Sequence, residues 1–71
     1  MNTLTDDQRR RHAEFNALFA RMPGRNNTER LRNVCVAADV KPGTVRQWRM
    51  TNPHRVPSEQ VLKLMRLAIG A

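Results

Sequence analysis

Residues 31–49 read LRNVCVAADVKPGTVRQWR, and their spacing decides the fold. Leu31, Val34, Cys35 and Ala38 fall at i, i+3, i+4 and i+7, one apolar stripe on one helix. The stripe stops at Asp39. After Val40, Lys41-Pro42-Gly43 restarts the chain, with proline suited to the first turn of a new helix. Val45 and Trp48, three apart, give this second helix one buried side. Two short helices joined by a turn of three to four residues make a helix-turn-helix, the unit that lays its second helix in the major groove of DNA.

Helices that cross steeply need small residues at the crossing, and Cys35 and Ala38 supply them. The turn needs a residue that tolerates a left-handed backbone. Asp39 can adopt it, although glycine would do so at lower cost. On these residues the stretch resembles the helix-turn-helix of the lambdoid phage Cro and repressor family, over roughly residues 28–69. That family shows small-x-x-x-G-V, an apolar residue five positions on and often tryptophan three further. Here the pattern reads Cys35, Asp39, Val40, Val45 and Trp48, departing from the usual alanine at Cys35 and glycine at Asp39.

The 71-residue length allows one domain with a thin core; folding at this size buries only about 60% of the chain's surface. One cysteine excludes an intramolecular disulfide, and no Cys/His cluster has zinc-ligand spacing. No apolar run is long enough for a membrane span or signal peptide, so a soluble, cytoplasmic protein is expected. Phe15, Phe19 and Trp48 are the only aromatic residues, too few for a base-stacking platform. The formal charge is +7, from 13 Lys/Arg against six Asp/Glu. Asp6, Asp7, Glu29 and Glu59 fall in first turns of predicted helices, where they favour the positive end of the helix dipole. In that placement they are expected to leave the basic residues uncompensated. Between Val40 and Ser58 there are Lys41, Arg46, Arg49 and Arg55 and no acid. This balance points to a polyanionic partner.

Outside the motif, Met1 to Leu4 reads as a frayed start, and Thr5-Asp6-Asp7-Gln8 as a capping box opening a helix over about residues 6–22. The apolar face of that helix is Phe15, Leu18, Phe19 and Met22. Arg9, Arg10 and Arg11 precede it, as a solvated basic helix start or a supporting phosphate contact. Pro23-Gly24 stops the helix, and Asn27 or Thr28 is expected to cap the next one. Met50 to Pro57 is a loop, and Ser58 caps a final helix over about 58–69 that Gly70 ends. The expected fold is all-α: one compact domain, residues 1–71, of four helices with room for a fifth short turn.

Setting Val45 and Trp48 inward places Gly43, Gln47 and Met50 on the opposite side of their helix, with Thr44 and Arg46 on its flanks. Gln47 can donate and accept together, which suits the adenine edge, and Arg46 can make paired bonds to guanine. Gly43 offers no side chain, so the backbone can approach closely. In an isolated helix the same residues would read as a solvated face; inside this motif Gly43, Thr44, Arg46 and Gln47 are the expected base-reading set. Lys41, Arg49, His54 and Arg55, at the helix ends and in the following loop, are placed to hold phosphates. So are the amides near Asn27 and Thr28 at the start of the preceding helix, with Arg30 beside them. The register of Trp48 with Val45 favours core packing over base stacking, and Cys35 reads as a small buried filler. His12 and His54 have no carboxylate or serine at a suggestive spacing, so no catalysis, metal or cofactor is expected.

On the final helix Val61, Leu62, Leu64, Met65, Ala68 and Ile69 cover one apolar arc, with Leu64 at its edge and Leu67 well outside it. By resemblance, these two leucines are expected in the interface of a weak homodimer on a palindromic operator. The resemblance implies a small Cro-like transcriptional regulator from a phage or prophage. It would bind double-stranded DNA sequence-specifically and act by promoter occlusion, with no small-molecule effector. Two alternatives share the basic face: a protein-interaction module such as an antitoxin, and an RNA-binding protein.

Overall fold

The structure, a computed structural model, describes residues 4–51 and 53–70. The frayed start expected at the N-terminus lies, for residues 1–3, outside them. The described residues form four helices and no strand: α1 (Asp6–Arg21), α2 (Asn27–Ala38), α3 (Pro42–Trp48) and α4 (Glu59–Ile69). Residues 49–58 contain no fifth helical turn among those described. None of the helices is long and apolar enough to cross a membrane.

Three of the helices, α1, α2 and α4, begin where the sequence supplies a side-chain partner for otherwise orphaned N–H groups. The Gln8 N–H donates to the Thr5 hydroxyl at 3.1 Å, and the Thr5 N–H donates to Gln8 Oε1 at 2.8 Å, completing the expected capping box. The second helix starts earlier than its composition suggested. Asn26, not Asn27 or Thr28, is the cap: its extended backbone lets Oδ1 accept from the Glu29 N–H at 3.0 Å. Glu29 reaches back to accept from the Arg25 N–H at 3.1 Å, so the turn closes one residue upstream. Gly24 makes this entry possible. It has φ +147°, and a Cβ there would sit 2.9 Å from the Arg30 nitrogen. Ser58 caps α4 as expected, and Gly70 ends it in the left-handed region.

The turn between α2 and α3 has the predicted conformation. Asp39 lies at φ 55°, ψ 52°, and is the one non-glycine residue with positive φ among those described. Its N–H and that of Val40 both donate to the Cys35 carbonyl, which closes the end of α2. Pro42 then opens α3 behind Lys41, whose side chain makes no cap.

The four apolar residues expected on α1 are all buried: Phe15, Leu18, Phe19 and Met22. They meet Val34 of α2, Val45 and Trp48 of α3, and Leu62 and Met65 of α4 in one core. Leu31 and Cys35 are half-buried at its edge, while Ala38 is buried. Trp48 packs inward with its ring edge-on to Phe15, centroids 5.6 Å apart and planes at 75°. On α4 the apolar arc is narrower than the sequence suggested. Ala68 is exposed and Leu64 half-buried, because α1 and α2 cover only the side carrying Leu62 and Met65.

Truncating Trp48→Ala should lower the unfolding free energy by about 3–5 kcal/mol, close to the whole stability of a marginal small domain; thermal denaturation followed by circular dichroism measures it. Asp39→Gly should act in the opposite direction. It relieves a left-handed aspartate and removes an anion from the negative end of α2, for a gain of up to about 1 kcal/mol.

Candidate nucleic-acid interface

With Val45 and Trp48 buried, the rest of α3 faces out. Gly43, Thr44, Arg46, Gln47, Arg49 and Met50 are all exposed, as are Lys41 before the helix and His54 and Arg55 after it. The residues expected from sequence to read bases are thus exposed, as are most of those expected to hold phosphates. At Gly43, beyond its own helix backbone and chain neighbours, no atom lies within 4 Å of where a Cβ would stand, and its φ is not positive. Neither backbone geometry nor internal packing requires glycine there.

A cleft of about 300 Å³ runs beside this surface, lined by Asn27, Thr28 and Leu31 of α2, Phe19 of α1, Arg46 of α3 and Arg49 at its end. It joins three of the expected phosphate ligands, Asn27, Thr28 and Arg49, with Arg46 from the expected base-reading set. Arg46 therefore leans to the flank nearest α2, whereas Gln47 and Gly43 do not line the cleft. Arg30 stays outside it. Its Nη1 donates to Asn27 Oδ1 at 3.0 Å, and its Nε is buried without a hydrogen-bond partner among the described residues. One of its donors is thus engaged at the first turn of α2. Lys41, His54 and Arg55 are separate from the cleft, on the two chain segments that flank α3.

The acids behave differently from the sequence expectation. They do not leave the basic residues uncompensated; they neutralise one particular set. Arg9 pairs with Asp6, and Arg11 with Asp7. Arg10 pairs with Asp7, Glu14 and Glu59, while Arg66 pairs with Glu14. Arg11 also donates to the Pro57 carbonyl at 2.9 Å, which ties the loop behind α3 to α1. The Arg9–Arg11 run is thus engaged within the α1–α4 side of the molecule. Four of the six acids are consumed there, leaving Glu29, held at the start of α2, and Asp39 in the turn. A second cleft, of about 330 Å³ between α1 and α4, contains the Glu14–Arg66 pair together with Arg21. Among the described residues, Arg21 and Lys63 are left without an ion pair on the α1–α4 side, but the larger share of the unpaired cations, Arg25, Arg30, Arg32, Lys41, Arg46, Arg49 and Arg55, lies on α2, α3 and the segments beside them.

Two contributors carried no assignment in the sequence. Asn16 accepts from Arg49 Nη1 through Oδ1 at 2.9 Å, and His12 Nε2 lies 3.0 Å from the Met50 carbonyl. Their signal was present, since His12, Asn16 and Phe19 are spaced along one edge of α1. Polar residues beside an apolar stripe usually face water, so the spacing alone did not single them out. At the other end of the molecule, Leu67 is 68% exposed, and Leu64 is half-buried beside the core. No group of three His, Cys, Asp or Glu side chains among the described residues is arranged to hold a metal.

The exposed Asp7–Arg10–Arg11 cluster of α1 makes an acid-labile contribution to stability. The Arg10 guanidinium, with Arg11 beside it, holds the Asp7 carboxyl below its ordinary value of 3.8. A carboxyl depressed by folding contributes stability above its unfolded value, and that contribution is lost as pH falls through the lower folded value. The melting temperature should therefore decline below about pH 4, and Asp7→Asn should flatten that decline without changing the curve's slope above pH 5. No protein-family model matches the chain, and no curated protein or solved structure matches it.

Proposed function

We propose that the chain is a helix-turn-helix protein that binds double-stranded DNA sequence-specifically, with α2 and α3 as the motif and α3 in the major groove. The observation that carries this reading is the segregation of charge. Four acids are consumed by arginines on the α1–α4 side, while Lys41, Arg46, Arg49 and Arg55 are exposed around α3 with no acid between residues 40 and 58. A short helix whose exposed surface pairs polar side chains with flanking cations suits a groove edged by phosphates. The bare surface at Gly43 adds to this. A helical glycine costs roughly 0.5–1 kcal/mol against alanine, and the chain's own packing does not require it. Close approach by an outside surface would.

In this reading Gln47 and Thr44 read base edges, and Gly43 admits the groove wall. Arg46 stands between base and phosphate, while Lys41, Arg49, His54 and Arg55 contact phosphates with the first turn of α2. We further propose a regulator acting by promoter occlusion as a weak homodimer, with Leu64 and Leu67 as the apolar contact between copies. A dimer would place two α3 helices on half-sites about one DNA turn apart.

Selection of preferred duplexes from a random pool, followed by titration at several salt concentrations, tests the reading. A defined consensus should emerge, and with about five phosphates neutralised per subunit the log–log salt slope should be near −4 to −5. Gln47→Ala should cost about 1–3 kcal/mol at the best site and relax preference there, whereas Arg55→Ala should weaken all duplexes alike. Gly43→Ala should raise the melting temperature yet weaken binding. Binding without salt dependence, or equal losses on specific and random duplex for all these variants, would refute the assignment.

A further inference from the structure

We propose that Asn16, on α1, is a positioning residue for this interface: it fixes the Arg49 guanidinium over Phe19, at the α2–α3 cleft, so that Arg49 meets a DNA phosphate already ordered. The inference rests on the duplex-binding reading and adds to it a residue that does not line the cleft.

His12 sets the first constraint on the Asn16 amide. Its Nε2 lies 3.0 Å from the Met50 carbonyl, and a carbonyl can only accept, so Nε2 carries the proton in this contact. A protonated Nε2 cannot also accept from Asn16 Nδ2, although the two are 3.3 Å apart. Nδ2 instead donates to the His12 carbonyl at 3.1 Å, one helical turn back. That bond settles which way the Asn16 amide points. Reversing it would set Nδ2 against the Arg49 guanidinium, donor against donor, and Oδ1 against the His12 carbonyl, acceptor against acceptor.

Oriented this way, Oδ1 accepts from Arg49 Nη1 at 2.9 Å. The guanidinium carbon then lies 4.2 Å from the centroid of the Phe19 ring, within cation–π range. One edge is thus bonded and one face covered. Arg49 is nevertheless exposed and lines the cleft beside Asn27, Thr28 and Arg46, and its remaining N–H donors have no partner among the described residues. Asn16 is uncharged, so it restrains the guanidinium without neutralising it. An acid in its place would do both. The four-bond arginine side chain would otherwise be ordered only on binding, at a cost corresponding to about two- to ten-fold in affinity.

The test is a double-mutant cycle on duplex binding, with affinity measured at several salt concentrations for the intact chain, Asn16→Ala, Arg49→Ala and both together. Alanine is the better helix former, so Asn16→Ala keeps α1; thermal unfolding checks this. Asn16→Ala should weaken binding about two- to ten-fold with an unchanged salt slope, because the charge is still present. Arg49→Ala should reduce the magnitude of the slope by about 0.9, and Asn16→Ala should then have no further effect. Asn16→Asp, which keeps an acceptor but adds a counter-charge, should reduce the slope as Arg49→Ala does. An equal loss from Asn16→Ala in both backgrounds, or no loss in either, would overturn the positioning role while leaving duplex binding intact. An intact chain with no salt-dependent duplex binding would overturn both.

Discussion

The contact on which the molecule depends is the inward packing of Val45 and Trp48 against α1 and α2. A seven-residue helix has little stability of its own, so the orientation of α3 about its axis is set almost wholly by what it buries. With Trp48 edge-on to Phe15 and Val45 fully enclosed, only one rotation of α3 is available. That rotation exposes Gly43, Thr44, Arg46 and Gln47 together. Asp39 makes it reachable, because its left-handed backbone turns the chain sharply enough for α3 to pack back on α2.

Electrostatics follow from the same geometry. The acids early in α1 and α4 favour their helix dipoles, as their positions suggested, and they also face arginines of α1. Glu59 thus supports a helix start and bridges α4 to α1, and Glu14, midway along α1, makes a second bridge to Arg66. Exposed pairs of this kind contribute little individually to stability. Their larger consequence is spatial: positive charge is reduced on one side of the domain and left in excess on the other, where long-range attraction of a polyanion would be strongest.

The α1 helix serves two purposes that its sequence does not separate. Its apolar stripe forms the floor of the core, and its polar edge at His12 and Asn16 reaches the end of α3. Few backbone contacts join α1 to α3, so side chains carry the connection. Phe15 touches Trp48 while Phe19 lies under Arg49, and the polar pair fixes Arg49 and Met50 from the side. A cation at a prospective interface is thereby supported from a helix that does not itself approach it.

The sequence by itself determined the four helices, the starts of α1 and α4, the left-handed turn at Asp39 and the inward sides of α1 and α3. These are local matters, governed by helical periodicity, by which side chain can cap an N–H group, and by which residue tolerates positive φ. It misplaced the start of α2 by one residue, because Asn26, Asn27 and Thr28 are all competent caps and only the approach of the chain through Gly24 selects Asn26. The pairs of Arg9, Arg10 and Arg11 with Asp6, Asp7 and Glu14 stand three or four residues apart on α1 and are local too. Tertiary structure alone decided the pairs between helices: Arg10 meeting Glu59, and Arg66 meeting Glu14, depend on α1 lying against α4. It also decided that Arg46 and Arg49 border one cleft with Asn27 and Thr28, and that Asn16 rather than solvent holds Arg49. Those residues lie far apart in the chain, and only packing brings them together.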